Sequence, residues 1–283
     1  SGPASAQDKG KHHDLYNYQG ADREQRLLEG AKKEGTVVVY TSLNLKDSVP
    51  ITEAFEKKYG VKVSLWRAGS EKVLHRSVTE ARAGRFSPDV IETNGPEMEA
   101  LYREKLLSEF HSPAFKDIPA VAFPPHRHYV ADRFNFFVLG YNTNLVKPED
   151  VPKSYEDLLK PRWHGKIGIE SGDSDWFAAV TKAMGEKEGL AYFRKLAATQ
   201  PQMRTGHTLM AELLSAGELP IAATVYNHNV ERLSKKGAPV KWLALGPTFG
   251  RPNAIGVARH APHPNAALLF TDFMLSREGQ ELI

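Results

Sequence analysis

Small polar residues recur where hydrophobic runs give way to helix-like patterns. Thr41, Ser42 and Asn44 follow TVVVY; Arg67, Gly69 and Ser70 follow VKVSLW; and Thr93 and Asn94 follow DVIE. Further on, Ser171, Gly172 and Ser174 lie in SGDSDW, and Tyr226 and Asn227 end LPIAATVY and open the next helix pattern. Hydroxyls, side-chain amides and the unpaired N–H groups of helix starts hold a ligand by hydrogen bonds and favour negative charge. Arg67 adds a forked donor that suits a carboxylate, phosphate or phosphonate, or else an ion pair at the surface or between parts of the chain. Each polar turn taken alone is equally an ordinary helix cap. Five of them in one topology point to the walls of a ligand cleft.

Bond-making chemistry has no such pattern. There is no glycine-rich phosphate loop, no G-x-S-x-G, no H-E-x-x-H and no cysteine. Asp173 and Asp175 flank Ser174 and read as acids complementing a helix dipole. His207, after Gly206, reads as a loop histidine without a partner, and His12 and His13 as solvated loop histidines. An enzyme on the same architecture is the competing class. An effector-binding domain of a transcription regulator needs a DNA-binding helical module, and none precedes Thr36.

The elements that position these turns follow from periodicity. Val37 to Val39 form a β-branched run between charged flanks, the signature of a strand buried on both faces. Leu27, Leu28 and Ala31 precede it at helical spacing, with Gly35 placed to end that helix. Asp47 or Ser48 is expected to cap the next helix, with Pro50 in its first turn and Gly60 closing it. Ser70 caps a helix carrying Leu74, Val78 and Ala81, and Pro96 opens another after the strand at 89–92. Three β-turn-α units in succession mean a parallel, doubly wound α/β sheet. YVADRFNFFVLGYNTNLV is a long extended run that crosses into a second lobe. A second α/β series follows, with a strand at 166–169, helices at 174–184, 186–198 and 208–216, a strand at 219–226, a helix at 229–236 and a strand at 240–245. A last strand, a helix from Pro264 and a shorter one end the chain. Lys9 to Gly20 shows neither period and reads as an arm or loop. Trp66, Trp163 and Trp176 are candidates for flat apolar contact with a ligand, with core packing expected for at least two.

Composition bounds the class. The 283 residues are 41% hydrophobic and 25% charged, ordinary for a folded domain or two, with a net charge of +3 spread along the chain. That spread is unlike the concentrated basic face of a nucleic-acid binder, and no apolar run reaches the length that spans a bilayer. Without cysteine there are no disulfides, thiol catalysis or thiolate metal sites, although compartment is left open. The opening SGPASAQ contains a small-residue, A-x-A-like stretch, consistent with a start just after a removed signal peptide; an expression-derived start explains it equally.

Several strings carry a family resemblance over nearly the whole chain from about Glu34. EGTVVVYTS, VLGYNTNLV, PKSYEDLLKPRWHGKIGI and RPNAIGVARHAPHPNAALLFTDFMLSREGQELI resemble the bacterial periplasmic solute-binding proteins of ATP-driven (ABC) importers, in the ferric-iron-binding branch. The resemblance implies a type II periplasmic binding fold: two doubly wound α/β lobes joined by two crossing strands, with the ligand held between them by hinge closure. It implies a discontinuous first lobe (36–137 plus 250–283), a second lobe (138–249), an N-terminal arm and first helix (1–35), and a second crossing near 250–257. It further implies a periplasmic protein that binds a small solute and delivers it to a membrane permease. No cofactor is expected, no nucleic acid partner, and a monomer.

The family's iron binders supply adjacent tyrosine phenolates after the strand equivalent to LPIAATVY, a histidine in the first turn and a carboxylate in the third. Ferric ion is hard and prefers such anionic oxygens. Here the corresponding places hold Tyr226-Asn227-His228, Leu43 or Asn44, and Asn94. The departures favour a small organic or phosphorus-containing anion read through hydroxyls, amides and Arg67. The alternatives kept open are iron or another metal held by Tyr226 and His228, and a neutral solute such as a sugar.

Overall fold

The computed structural model describes residues 8–283; the SGPASAQ stretch read above as a cleavage region lies outside them. In chain order the first elements are α1 (His13–Asn17), α2 (Arg23–Glu34), β1 (Thr36–Thr41), α3 (Leu45–Tyr59), β2 (Lys62–Arg67), α4 (Ser70–Arg82), β3 (Val90–Asn94), α5 (Gly95–Arg103), β4 (Leu107–Ser108) and β5 (Val130–Asn142). Then come β6 (Ile167–Glu170), α6 (Ser174–Met184), α7 (Glu186–Ala198), β7 (Gln202–Arg204), α8 (His207–Ser215), β8 (Ile221–Tyr226), α9 (Asn227–Lys235) and β9 (Val240–Leu243). The chain ends with β10 (Phe249–Ala258), α10 (Pro264–Leu275) and α11 (Arg277–Gln280).

These elements fall into two units, one comprising residues up to Arg133 with Pro252–Ile283, the other Phe134–Arg251. The chain leaves the first along β5 and returns along β10. In the first unit the strands run in the order β2-β1-β3-β10; β1 is parallel to β2 and β3, and β10 lies antiparallel to β3 and to the short β4. Alternation along β1 sends Val37 and Val39 into a core with Phe55 of α3 and Phe270 and Phe273 of α10. Tyr40 enters a core on the other face with Val73, Met98 and Leu101. Gly35 and Gly60 end α2 and α3 in the left-handed region, at φ 76° and 68°, which glycine adopts without strain.

In the second unit the strands run in the order β9-β5-β8-β6-β7, with β6 parallel to β7 and β8, and β5 antiparallel to β8 and β9. Ile221 and Ala223 of β8 pack with Trp163 and Trp176 on one face. Ala222 and Val225 pack with Met210 and Leu214 of α8 on the other. Both tryptophans are therefore core residues.

Three expectations change. The cap of α3 is Asn44, whose Oδ1 accepts from Asp47 N at 3.1 Å, one turn earlier than Asp47 or Ser48. The N-cap of α4 is Gly69, so Ser70 is its first residue. The N-terminal arm is also more than a loop. Residues 13–17 form a helical turn whose Tyr16 is fully buried and donates to Ala258 O at 2.8 Å, and His12 Nε2 bonds to Ala261 O at 2.8 Å.

Candidate ligand-binding site

In the first unit, three parallel strands place their C-terminal ends side by side, so the turns after β1, β2 and β3 meet. The predicted residues are linked directly. Arg67 donates from Nε to Leu43 O at 3.1 Å and from Nη2 to Ser42 O at 3.2 Å. Thr93 Oγ1 donates to Ser42 Oγ at 2.9 Å, and Ser42 N donates to Glu92 O at 3.0 Å. Thr41 and Thr93 are buried, and Thr41 gives its hydroxyl proton to Glu92 Oε2 while accepting from Leu43 N at 3.0 Å. They stand beneath the turns and fix their shape. Asn44 is occupied at the start of α3, with its Nδ2 on Asp47 Oδ2 at 2.8 Å.

The starts of α4 and α5 differ from that of α3. Neither Gly69 nor Asn94 makes a side-chain cap bond, so the starts of α4 and α5 lack the cap that Asn44 gives α3; Pro96, second in α5, has no N–H, and Glu71 and Glu97 stand in the two first turns. Arg67 is exposed, and its two carbonyl bonds leave Nη1 uncommitted. One strand-end surface thus collects two uncapped helix N-termini, a tethered guanidinium and the Ser42 and Ser70 hydroxyls, all of which favour negative charge.

The second unit gathers its predicted residues around a carboxylate cluster. Ser171 bonds Thr205 Oγ1 at 2.9 Å through its hydroxyl and Arg204 O at 2.8 Å through its N–H. Gly172 N donates to Glu170 Oε2 at 2.7 Å, and Gly206 N donates to Glu170 Oε1 at 3.0 Å. Ser174 opens α6 with its N–H on Gly172 O at 2.9 Å. Tyr226 is the N-cap of α9, and Asn227 is that helix's first residue.

Two residues central to this cluster, Arg251 and Glu170, were not singled out from sequence, and His207 was given no partner there. Arg251 donates from Nη1 to Tyr226 Oη at 2.8 Å, from Nη2 to Asp173 Oδ1 at 3.1 Å and from Nε to Asp175 Oδ2 at 2.7 Å, and Nη2 also meets Asp175 Oδ1. His207, expected to lack a partner, starts α8 and bonds Asp173 Oδ2 through Nε2 at 3.0 Å. Its ring stacks on Tyr226 with centroids 3.7 Å apart; His228 lies on Tyr226 at 5.7 Å. Glu170, Asp173 and His207 bring ligating atoms within 4.8 Å of one another. Asp173 and Asp175 are thus ion-pair partners as well as helix-start acids. No local spacing marks Arg251, because its carboxylate partners lie 76 and 78 positions away.

The electrostatics follow from burial. Burial pushes the Tyr226 phenol up, reinforced by Asp173 and Asp175 and opposed by Arg251, so it is neutral at physiological pH. Burial also acts to raise the Asp175 carboxyl, but the Arg251 fork and the Trp176 N–H outweigh it and hold the group below its ordinary range.

Residues 87–283 match the family described as bacterial extracellular solute-binding protein. The chain is 23% identical over 267 residues to an Fe(3+)-binding periplasmic protein of Serratia marcescens, covering 90% of this chain and 78% of that one. It is 27% identical over 243 residues to a putative 2-aminoethylphosphonate-binding periplasmic protein of Salmonella paratyphi A, covering 81% and 68%. Iron-bound HitA from Pseudomonas aeruginosa shares its fold, with a TM-score of 0.78 and 24% identity over 87% of this chain and 83% of that one. With the strand order and the two units described above, this shows the two-lobe type II periplasmic binding fold, and the chain belongs to the bacterial extracellular solute-binding protein family.

Proposed function

We propose that this solute-binding protein captures a small organic or phosphorus-containing anion. The anionic group is held at the first unit's strand ends by Ser42, Arg67, Gly69, Ser70 and Asn94, and Thr41, Asn44 and Thr93 shape the turns. Ser171, Gly172, Ser174, Tyr226 and Asn227 are proposed as the second unit's contribution. The observation that carries the reading is the pair of helix starts, α4 and α5, left without side-chain caps beside Arg67. Three positive ends on one surface stabilise a phosphonate, phosphate or carboxylate and repel a bare cation. The relative described as binding 2-aminoethylphosphonate supports the same class.

The protein acts by binding and not by chemistry. On this reading it works in the periplasm as a monomer without a nucleic acid partner and hands its solute to an ABC permease; relatives described as periplasmic binding proteins support the compartment. Relatives that are binding proteins, and a site made of hydrogen-bond donors, support the non-enzymatic reading.

A second reading, a ferric or other metal ion as cargo, is favoured by the convergence of Glu170, Asp173 and His207 next to Tyr226. It is opposed by how those groups are used. Glu170 already accepts two backbone N–H groups, Asp173 faces a guanidinium, and the Tyr226 oxygen accepts from that guanidinium.

Titration calorimetry with 2-aminoethylphosphonate, inorganic phosphate and citrate tests the anion reading. At least one should bind, and Arg67→Ala should weaken it by about 2 kcal/mol, roughly thirtyfold, as for loss of one partner of a desolvated charge pair. Unchanged affinity in the variant would sink the role given to Arg67.

A further inference from the structure

Beneath the strand-end turns of the first unit lies a charge arrangement that the anion site does not use. Glu92 on β3 is 1% exposed; its Oε2 accepts from Thr41 Oγ1 at 2.5 Å and its Oε1 from Asn253 Nδ2 at 2.9 Å. Beside it stands Asp132 on β5, 5% exposed, and no side-chain donor among the described residues reaches either of its oxygens, its own backbone N–H being the donor that acts on it. The hydrogen-bonding group that faces it is the carboxyl of Glu92. The nearby charged groups are Arg133 of β5, which acts on both acids, and Asp47 of α3, which takes Arg133 Nη1 at 3.2 Å. Thr41 of β1, Asn253 of β10 and the Leu43 N–H are uncharged donors to Glu92.

One guanidinium therefore serves three carboxyls, and the most deeply orphaned one touches another acid. Two buried carboxylates in contact cannot both stay ionised; one proton between them gives the missing O–H···O bond and removes one charge. Burial shifts both acids in the direction that retains a proton, with the mutual repulsion adding to it at Asp132 and Arg133 opposing it at both.

We propose that Glu92 and Asp132 share a proton at neutral pH, and that this proton sets the charge beneath the strand-end turns, making anion binding there proton-linked. The inference rests on the anion reading given above. The path is short. The Glu92 carboxyl holds the Thr41 hydroxyl, its carbonyl holds Ser42 N, and the next residue, Thr93, holds the Ser42 hydroxyl. With the proton in place the pair carries one negative charge. Above the pH at which it leaves, the pair carries two, and the second repels the bound anion through partly buried protein, lowering affinity on the order of tenfold.

Two measurements on the whole protein test this. The first is the infrared carbonyl stretch of protonated carboxyl groups in the unliganded protein at pH 7, wild type minus Asp132→Asn, so that other protonated acids cancel. A band lost in the variant is expected; Glu92→Gln gives the same comparison if Asp132→Asn does not fold. No difference band overturns the shared proton. The second is titration calorimetry with 2-aminoethylphosphonate, inorganic phosphate and citrate between pH 6 and 9. The ratio of wild-type to variant affinity, in which the probe's own titration cancels, should fall about tenfold at the alkaline end. A flat ratio overturns the linkage even if the band is present. If none of the three probes binds, the anion reading fails and takes the linkage with it, while the band alone still decides whether the proton is shared.

Discussion

Replacing Arg251 by Met tests how much the second unit depends on one buried cation. Met preserves much of the apolar contact that the side chain makes over the Phe137 ring, 5.1 Å from the guanidinium carbon, and deletes the charge and its donors. The side chains of Arg251 and Asp173 are 8% and 1% exposed, whereas that of Asp175 is 33% exposed. Removing one member of a fully buried pair costs about 3–5 kcal/mol, because the remaining charge is left without compensation. Asp173 keeps His207 as a partner, and Asp175 can turn to water, so the low end applies, about 3 kcal/mol. With a urea slope of about 2 kcal/mol per molar, the midpoint should fall by roughly 1.5 M.

Three of the four tryptophans, Trp163, Trp176 and Trp242, belong to the second unit, so fluorescence reports mainly on it. The pH dependence supplies an internal check. Asp175 is held below its ordinary range, so its pairing stabilises the folded protein above about pH 4, the ordinary Asp value, and that contribution is lost as pH falls through the depressed folded value. The variant lacks it, so the gap between the two proteins should narrow below about pH 4. A variant midpoint within about 0.3 M of wild type at pH 7 would show that the guanidinium stabilises nothing net, and the reasoning about this network would fail.

Two further outcomes are expected. Incubation with ferric citrate should produce no tyrosinate-to-iron absorption band in the visible, since the Tyr226 phenol is neutral and its oxygen accepts from Arg251; a strong band would reverse the ranking of anion over iron. Tyr16→Phe should lower stability by about 1 kcal/mol in chemical denaturation, because the lost hydroxyl leaves the buried Ala258 carbonyl short of one bond, and no change would mean that the arm's docking is carried by packing alone.

What was legible in the sequence was whatever local pattern dictates. The helices at 174–184 and 186–198 were readable to the residue because apolar spacing, acids in the first turn and Gly185 between them all agree. The start of α3 was not, because Pro50 drew the expected first turn toward itself and Leu45, 58% exposed, resembles a loop residue. The arm at 9–20 has no period to read: its helix is a single turn held by Tyr16 against Ala258, a contact made across 242 positions. His207 and Arg251 were missed for the same reason. Their roles are set by partners in other elements, and a lone histidine after glycine, or an arginine before proline, carries no trace of them.

The case against iron becomes stronger when the buried groups are considered with the exposed ones. Leu43, at the place where iron-binding relatives were expected to carry histidine, is 3% exposed and packed in the core of the first unit. A polar replacement there would lose that packing and bury an unsatisfied group. Asn44 is committed to capping α3, and the lone tyrosine after β8 faces a guanidinium. Converting this chain to a ferric ligand set would therefore require rebuilding a core contact, a helix cap and an ion-pair network together. The starts of α4 and α5, by contrast, carry no side-chain cap. The same fold can serve both ligands because the strand-end turns are set by β-α geometry. On the function proposed above, the side chains grafted onto them in this chain favour the anion over the metal.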